Sequence, residues 1–148
     1  MTNKFQMSMM GEMNFFLGLQ VKQTEDGILI NQLKYTKELI NKFGVQHMKT
    51  VKISMNTNWK VDPGMEGKSV SSTKYREIIG SLLYLTASRS DIAFAVRVCA
   101  RYQSDPTEAH MDATKRILRY LKGTQNVGLW YPTDEIFKLL GVAARYSQ

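Results

Sequence analysis

The residues with the clearest chemical potential are basic side chains spaced along two predicted helices. Lys115, Arg119 and Lys122 recur at three- and four-residue intervals, so they share one side of a helix. Arg97 and Arg101 stand four residues apart on the preceding predicted helix. Such a set is typical of a surface that follows a phosphate backbone, but also of a solvated helix face with its bases near the C-terminus. Spacing alone leaves both interpretations open.

Catalysis of nucleic-acid synthesis or cleavage would need a different set, namely paired carboxylates that hold two divalent ions. The aspartates are scattered through predicted caps and turns, and the sequence contains no Asp-Asp pair. It also lacks a glycine-rich nucleotide loop, the Cys/His spacing of a metal site and a nucleophile elbow. We therefore expect this chain alone to have no enzymatic activity, no catalytic residues, no metal site and no cofactor.

The single cysteine, Cys99, stands among apolar residues of a predicted helix and has no partner for an intramolecular disulfide. The two histidines, His47 and His110, are distant from it in sequence. Because a thiol without a nearby base is a weak nucleophile, Cys99 is predicted to be a buried, unreactive core residue.

Composition indicates a globular chain with an anionic partner. The 148 residues are 43% hydrophobic and 22% charged, which suits one domain with a real core. Twenty basic and thirteen acidic residues give a net charge of +7, which favours nucleic acid as the partner. Neither a signal peptide nor an apolar stretch of bilayer length is present, so we expect an intracellular, soluble chain without a membrane partner. The compartment is not indicated.

Three helices are predicted between Tyr75 and Gly123, and the third carries the lysines and arginine described above. In the first, apolar residues recur at helical spacing as far as Thr86. Gly80 lies inside it and favours close approach by another backbone, because glycine there otherwise only weakens the helix. The second is predicted to begin at Ser90, whose hydroxyl can cap a helix.

The third helix has the clearest start signal. Asp105, Pro106 and Glu108 fit the N-cap, first and third positions of a capping box. Gly123 is placed to end the helix in a left-handed C-cap. The predicted buried face consists of Ala109, Ala113, Ile117, Tyr120 and Leu121.

The N-terminal part of the chain favours a β-hairpin. Asp26 and Gly27 separate the apolar run 14–21 from the run 28–30, which is a strong hairpin signal. Gly18 falls within the first predicted strand. There it indicates either a bulge or tight packing, or a place where the backbone of a ligand comes close.

A helix is predicted from Leu33 to Phe43, with Gly44 as its stop and with Lys34 and Lys37 among its bases. Periodicity is then lost over residues 45–72, which predicts a loop or linker.

The remaining apolar segments lack obvious partners. Trp59 is interpreted as a plug against a neighbouring surface rather than a base-stacking residue. Residues 127–131 predict a strand ended by Pro132, and residues 137–142 form a further candidate strand. The fold class is therefore α+β: a hairpin without its sheet, a helix, a long linker, three helices and a strand without partners.

Two blocks of this sequence resemble the copia-type retrotransposon Pol polyprotein. They are NFFLGLQV followed by GILINQLKYTKELINKFG, in residues 14–44, and GSLLYLTASRSDIAFAVRVCARYQSDPTEAHMDATKRILRYLKGTQNVGLWY, residues 80–131. The resemblance implies the part of the reverse transcriptase that follows its catalytic site. In that family the hairpin supports the primer strand, so Phe16, Gly18 and Leu19 would be primer-grip counterparts. The helices would correspond to the thumb and connection, which hold the template–primer duplex.

Departures from the family pattern accompany the resemblance. The Tyr-Val-Asp-Asp metal site would lie before residue 1, and residues 141–148 lack the first metal-binding acid of ribonuclease H. Ser90 stands where the family usually has proline. The resemblance thus implies a truncated or decayed element, a piece of a longer polyprotein. Its segments would be an end-of-palm hairpin and helix (1–44), a linker (45–72), a thumb- and connection-like helical block (73–124) and the start of a truncated ribonuclease H segment (125–148).

The leading hypothesis is a fragment of an RNA-directed DNA polymerase polyprotein that lacks the catalytic metal site and keeps affinity for an RNA or DNA duplex. Its partners would include the missing palm and ribonuclease H regions, and magnesium would belong to the parent enzyme alone. Alternatives are a basic helical module that binds an acidic protein, and a polymerase piece complemented by a separate chain. Candidate nucleic-acid contacts are Phe16, Gly18, Leu19, Lys34, Lys37, Arg97, Arg101, Lys115, Arg119 and Lys122.

Overall fold

A computed structural model describes residues 13–16, 18–56 and 67–135 of the chain. The residues divide into two compact units: one contains the segments up to residue 32 and from 127 onward, and the other spans 33–126. The predicted α+β class is confirmed, because one unit holds a sheet and the other holds helices. The predictions for Trp59 and for residues 1–11, 137–142 and 141–148 fall outside the described residues.

The first unit is built on a four-stranded antiparallel sheet with the order β1-β2-β3-β4. Its strands are β1 Met13–Phe16, β2 Leu19–Thr24, β3 Gly27–Asn31 and β4 Leu129–Pro132. The expectation of an unpartnered C-terminal strand was wrong, because β4 pairs with β3 and places Leu129 opposite Ile30. Local periodicity reports where a strand lies, but it carries no information about a partner so distant in sequence.

Two glycines fix the turns of this sheet. The Asp26-Gly27 hairpin is confirmed, and a Cβ on Gly27 would lie 2.3 Å from the Tyr131 carbonyl oxygen of β4. Gly18, by contrast, is not inside a strand. It lies in the turn between β1 and β2 with φ at 80°, a left-handed conformation that favours glycine. The turn replaces the bulge interpretation, whereas the approach of a ligand backbone stays a prediction.

The second unit contains α1 Leu33–Lys42, α2 Ser72–Leu85, a 3₁₀ turn at Ser90–Ile92, α3 Ala93–Ala100 and α4 Glu108–Gly123. Gly44, which follows α1, has φ at 72°, as expected of a helix stop. The core of the unit draws on all four helices: Leu39, Ile40, Val45, Tyr75, Ile78, Ile79, Leu82, Leu85, Ile92, Ala95, Val96, Cys99, Met111, Ile117, Leu118 and Leu121.

Cys99 lies fully buried in this core, as predicted. Burial raises the pKa of its thiol to about 12, so the nucleophilic thiolate is suppressed at neutral pH. The buried Tyr75 hydroxyl donates a 2.6 Å hydrogen bond to the Cys99 carbonyl oxygen, which joins α2 to α3. The position is structural.

Two expectations for α2 and α3 were wrong. Gly80 is exposed on α2, and among the described residues no atom from outside its own helical turn lies within 4 Å of the place its Cβ would occupy, so no described backbone approaches it there. Ser90 does not cap α3, because the 3₁₀ turn intervenes and the residue before α3, Ile92, offers no side-chain cap.

The start of α4 also differs from the prediction. The N-cap is Thr107 rather than Asp105, and the capping box joins Thr107 to His110. The Thr107 N–H donates to His110 Nδ1 at 2.9 Å. The Glu108 N–H donates to the Lys68 carbonyl oxygen at 3.0 Å. This pairing with the segment before α2 keeps the chain extended through Thr107, and the helix begins two residues later than local spacing indicates.

The buried face of α4 is rotated from the predicted stripe, and its end is different. Ile117 and Leu121 are buried as predicted, whereas Ala109, Ala113 and Tyr120 are only half-buried. The buried residues are His110, Met111, Thr114, Ile117, Leu118 and Leu121.

Buried Thr114 is tolerated because its hydroxyl donates to the Met111 carbonyl oxygen at 2.7 Å. Gly123 is the last residue of α4 and adopts no left-handed cap. Instead, Thr124 ends the helix, and its N–H donates to the Leu121 carbonyl oxygen at 3.0 Å.

A buried arginine joins the end of α4 to the turn before α3. Arg89 is 2% exposed, and its Nε and Nη2 donate to the two carboxylate oxygens of Asp91 at 3.1 and 2.9 Å. Its Nη1 donates to the Thr124 carbonyl oxygen at 2.8 Å, and the Tyr120 hydroxyl donates to Asp91 Oδ2 at 2.6 Å. Burial opposes ionisation of Asp91, but the hydrogen bonds from Arg89 and Tyr120 outweigh it and lower the pKa of that carboxyl.

His110 is a second buried polar residue on α4. Its ring stacks on Tyr102 with centroids 4.1 Å apart, and its Nδ1 accepts the Thr107 N–H, so the neutral ring carries its proton on Nε2. Burial lowers the pKa of His110, and the nearby Asp105 only partly opposes this.

Replacing Arg89 tests its ion pair with Asp91. We expect Arg89→Met to lower the free energy of unfolding by about 2 kcal/mol, because it removes the cation beside the partly exposed Asp91 carboxylate and leaves the Thr124 carbonyl oxygen without its donor. Arg76→Met, at an exposed position of α2, should change it by less than about 0.5 kcal/mol. Urea denaturation measures both. Similar losses in the two variants would contradict this account of Arg89.

The buried His110 predicts a pH dependence of stability. Because its folded-state pKa lies below the ordinary 6.5, the unfolded chain takes up the proton first, and the free energy of unfolding should fall as the pH drops below about 6.5. His110→Gln should keep the cap, since glutamine serves at the third position of a capping box, and should flatten this dependence. His47→Gln, at an exposed position, is the control. Urea denaturation between pH 7 and 5 measures the free energy of unfolding. An unchanged pH profile in His110→Gln would exclude His110 as the source of the pH dependence.

Candidate nucleic-acid interface

The three predicted bases of α4 lie together on the side of the helix away from its buried face, and each is half-buried. Arg119 Nε donates to the Lys49 carbonyl oxygen at 2.6 Å, and Lys122 Nζ donates to the Met48 carbonyl oxygen at 2.6 Å. Arg119 and Lys122 are therefore not simply solvated, because they also hold the segment after α1 against α4. The third base of this set is Lys115.

A cleft of about 370 Å³ opens between residues 48–56 and α4; we call it the α4 cleft. Three of its lining side chains are cations, Lys115, Arg116 and Arg119, and one is the carboxylate of Asp112. The complete lining is Met48, Ser54, Met55, Asn56, Ala109, Asp112, Ala113, Lys115, Arg116 and Arg119.

Arg116 was not predicted as a site residue. It adjoins Lys115 and follows Asp112 by four residues, a spacing that is equally usual for an exposed ion pair on a helix. In the structure its Nε is buried and has no hydrogen-bond partner among the described residues. Helical spacing could not reveal this, because the opposite wall of the cleft comes from a segment without periodicity.

A second, shallower cleft brings together bases from two helices. Lys37 of α1 and Lys122 of α4 both line it, in a volume of about 280 Å³. Lys122 of this cleft and Arg119 of the α4 cleft bond to the adjacent carbonyl groups of Met48 and Lys49. We call this set of bases the basic strip: Lys37, Lys115, Arg116, Arg119 and Lys122.

Three other predicted bases lie outside the basic strip. Lys34 is exposed on the first turn of α1. Arg97 is exposed on α3 and Arg101 directly after it, and none of the described contacts joins them to the bases of α4. Phe94, 67% exposed on α3, was missed by the sequence analysis although it stands three residues before Arg97. An exposed aromatic ring beside arginines is the pattern of a base-stacking surface.

The hairpin candidates belong to the sheet unit. Gly18 is exposed in the turn between β1 and β2, and half-buried Leu19 opens β2. Phe16 ends β1 and pairs with Leu19 across the turn. A primer-grip role for these three residues stays a prediction.

Within the described ranges, the side chains form no cluster of three or more His, Cys, Asp or Glu that could hold a metal ion. No helix described there has the length and apolar character needed to cross a bilayer.

Comparison with known proteins returned neither a matching family model nor a matching solved structure. The chain is 35% identical over 136 residues to an uncharacterized mitochondrial protein of Arabidopsis thaliana, a match that covers 88% of this chain and 54% of the relative. It is 37% identical over 119 residues to the retrovirus-related Pol polyprotein from transposon RE1 of the same plant, covering 80% of this chain and 8% of the polyprotein.

A third relative comes from another plant. The retrovirus-related Pol polyprotein from transposon TNT 1-94 of Nicotiana tabacum is 29% identical over 133 residues, which cover 84% of this chain and 10% of the polyprotein. The chain thus spans about half the length of the mitochondrial relative and about a tenth or less of the polyproteins. The predicted family resemblance is confirmed. The chain is therefore homologous to copia-type retrotransposon Pol polyproteins, of which it matches a short segment.

Proposed function

We propose that this chain corresponds to the reverse transcriptase region beyond the catalytic site of those polyproteins, and that it holds a nucleic-acid duplex without catalysing synthesis alone. The observation that carries the proposal is the basic strip, in which cations from α1 and α4 line two clefts. Its partners would be an RNA or DNA duplex and the palm and ribonuclease H regions of the parent protein. Magnesium would act only in that parent.

The geometry leaves donors free for phosphate contacts. Arg119 uses Nε for the Lys49 carbonyl oxygen, which leaves the N–H groups of its two terminal nitrogens. Lys122 uses one ammonium hydrogen for the Met48 carbonyl oxygen and retains two. The same side chains can therefore hold the segment after α1 and bind phosphate oxygens. Contacts of this kind position a duplex but do not select its sequence.

The sheet unit and α3 have matching roles in this proposal. The turn that carries Gly18 would support the primer strand, with Phe16 and Leu19 beside it. Arg97 and Arg101 would add phosphate contacts next to the exposed ring of Phe94. The segments 1–44, 45–72, 73–124 and 125–148 would then descend from end of palm, linker, thumb with connection, and ribonuclease H.

Salt dependence tests the binding. If the five cations of the basic strip each contact a phosphate, log affinity for a labelled duplex should fall against log salt with a slope of about −4 to −5. Fluorescence anisotropy over a potassium chloride series measures it. The double variant Lys115→Gln/Arg116→Gln should reduce the magnitude of the slope by about 2.

The matched control is Lys74→Gln/Arg76→Gln, which removes two exposed charges from α2 and should leave the slope nearly unchanged. A flat salt response of the unaltered chain would overturn the proposed binding. Equal effects of the two double variants would show that net charge, rather than the basic strip, is responsible.

A primer-extension assay tests the catalytic part. With a primed RNA or DNA template, nucleotides and magnesium, we expect no extension by this chain alone, because its sequence has no Asp-Asp pair to hold two ions. An intact reverse transcriptase in the same buffer is the positive control. Unaided extension by the purified chain would disprove the proposal.

A further inference from the structure

We propose that the α4 cleft binds one nucleotide unit, with its phosphate on the cations and its base against the apolar wall. This deepens the proposed function and rests on it for the choice of nucleic acid as partner. The cleft volume of about 370 Å³ lies within the roughly 300 to 1,000 Å³ usual for small-molecule sites.

The charge of the cleft selects an anion. Lys115, Arg116 and Arg119 contribute three positive charges, and Asp112 contributes one negative charge. A planar guanidinium binds two phosphate oxygens at once, so it both attracts the phosphate and fixes its orientation.

Arg116 is the residue that most needs a ligand. Its Nε is buried without a hydrogen-bond partner among the described residues, so the charge of this guanidinium is not compensated by the protein around it. Arg119, in contrast, already donates its Nε to the Lys49 carbonyl oxygen. Because Nε itself is covered, an anionic oxygen in the cleft would meet the terminal nitrogens of the Arg116 guanidinium and neutralise part of the local charge.

The other lining residues favour a base over a bare phosphate. Met48 and Met55 of the segment after α1 line the cleft, as do Ala109 and Ala113, which stand about one turn apart on α4. Methionine sulfur packs favourably on aromatic rings, and small residues let a ring approach the helix backbone. Ser54 and Asn56 add hydrogen-bonding groups that can meet the polar edge of a base.

The test measures binding of adenosine 5′-monophosphate to the full chain by titration calorimetry at low salt, with adenosine and inorganic phosphate as separate probes. Adenosine and phosphate should each bind at least about tenfold more weakly than the nucleotide, because each lacks one half of the contacts. Arg116→Gln should weaken nucleotide binding by about tenfold or more. The exposed-site control Arg76→Gln should change it by less than about twofold.

Ala109→Leu gives a second test that preserves every charge. The larger side chain should fill part of the cleft and block the nucleotide. Urea denaturation checks that each variant folds. Unchanged nucleotide affinity in both Arg116→Gln and Ala109→Leu, or an equal loss in Arg76→Gln, would overturn the inference.

Two further arms separate the sources of the nucleotide and the two proposals. A 5′-phosphorylated single-stranded oligonucleotide that binds more tightly than its 5′-hydroxyl form indicates a strand end, and equal binding of the two indicates that the cleft takes the free nucleotide. Duplex binding without nucleotide binding would refute the cleft inference and leave the proposed function. Nucleotide binding that depends on Arg116, in a chain that binds no duplex, would refute the proposed function and leave the cleft inference.

Discussion

The buried guanidinium of Arg89 is the interaction on which the arrangement of the helical unit depends. It lies between the Asp91 carboxylate and the Thr124 carbonyl oxygen, so it fixes the C-terminus of α4 to the turn before α3. A cation at that end is favourable for the helix dipole, and it satisfies a carbonyl group that the helix leaves unpaired. The Tyr120 hydroxyl completes the network by donating to Asp91. Because α4 carries most of the basic strip, this polar network acts together with the buried apolar residues of α4 to hold those bases in place.

Much of the local structure could be predicted from the sequence. Apolar spacing indicated α1 to α4, the Asp26-Gly27 hairpin and the burial of Cys99, because each of these depends on residues within about two helical turns or one strand. The end of α4 shows where such reasoning stops. Gly123 has the residue type of a left-handed cap, yet the structure ends the helix at Thr124, whose carbonyl oxygen is taken by Arg89 from a distant part of the sequence. Tertiary contacts override local preference there.

For the candidate site, too, local spacing predicted one part of the arrangement and tertiary packing decided the rest. Helical spacing placed Lys115, Arg119 and Lys122 on one side of α4, and the structure agrees. It could not place Lys37 beside Lys122, since their helices meet only through tertiary packing. Nor could it separate Arg97, on another helix, from this group. It could not bring in Arg116 either, because the wall that faces Arg116 comes from residues 48–56, which have no regular pattern.

The pairing of β3 with β4 has a consequence for biosynthesis. Ile30 lies opposite Leu129, so during translation β3 leaves the ribosome with one edge open until the chain has grown past the entire helical unit. At about 5 to 20 residues per second this interval lasts on the order of 5 to 20 s. An open edge offers unpaired backbone groups to any passing strand. The edge of β3 is therefore open to wrong pairing until β4 has been synthesised.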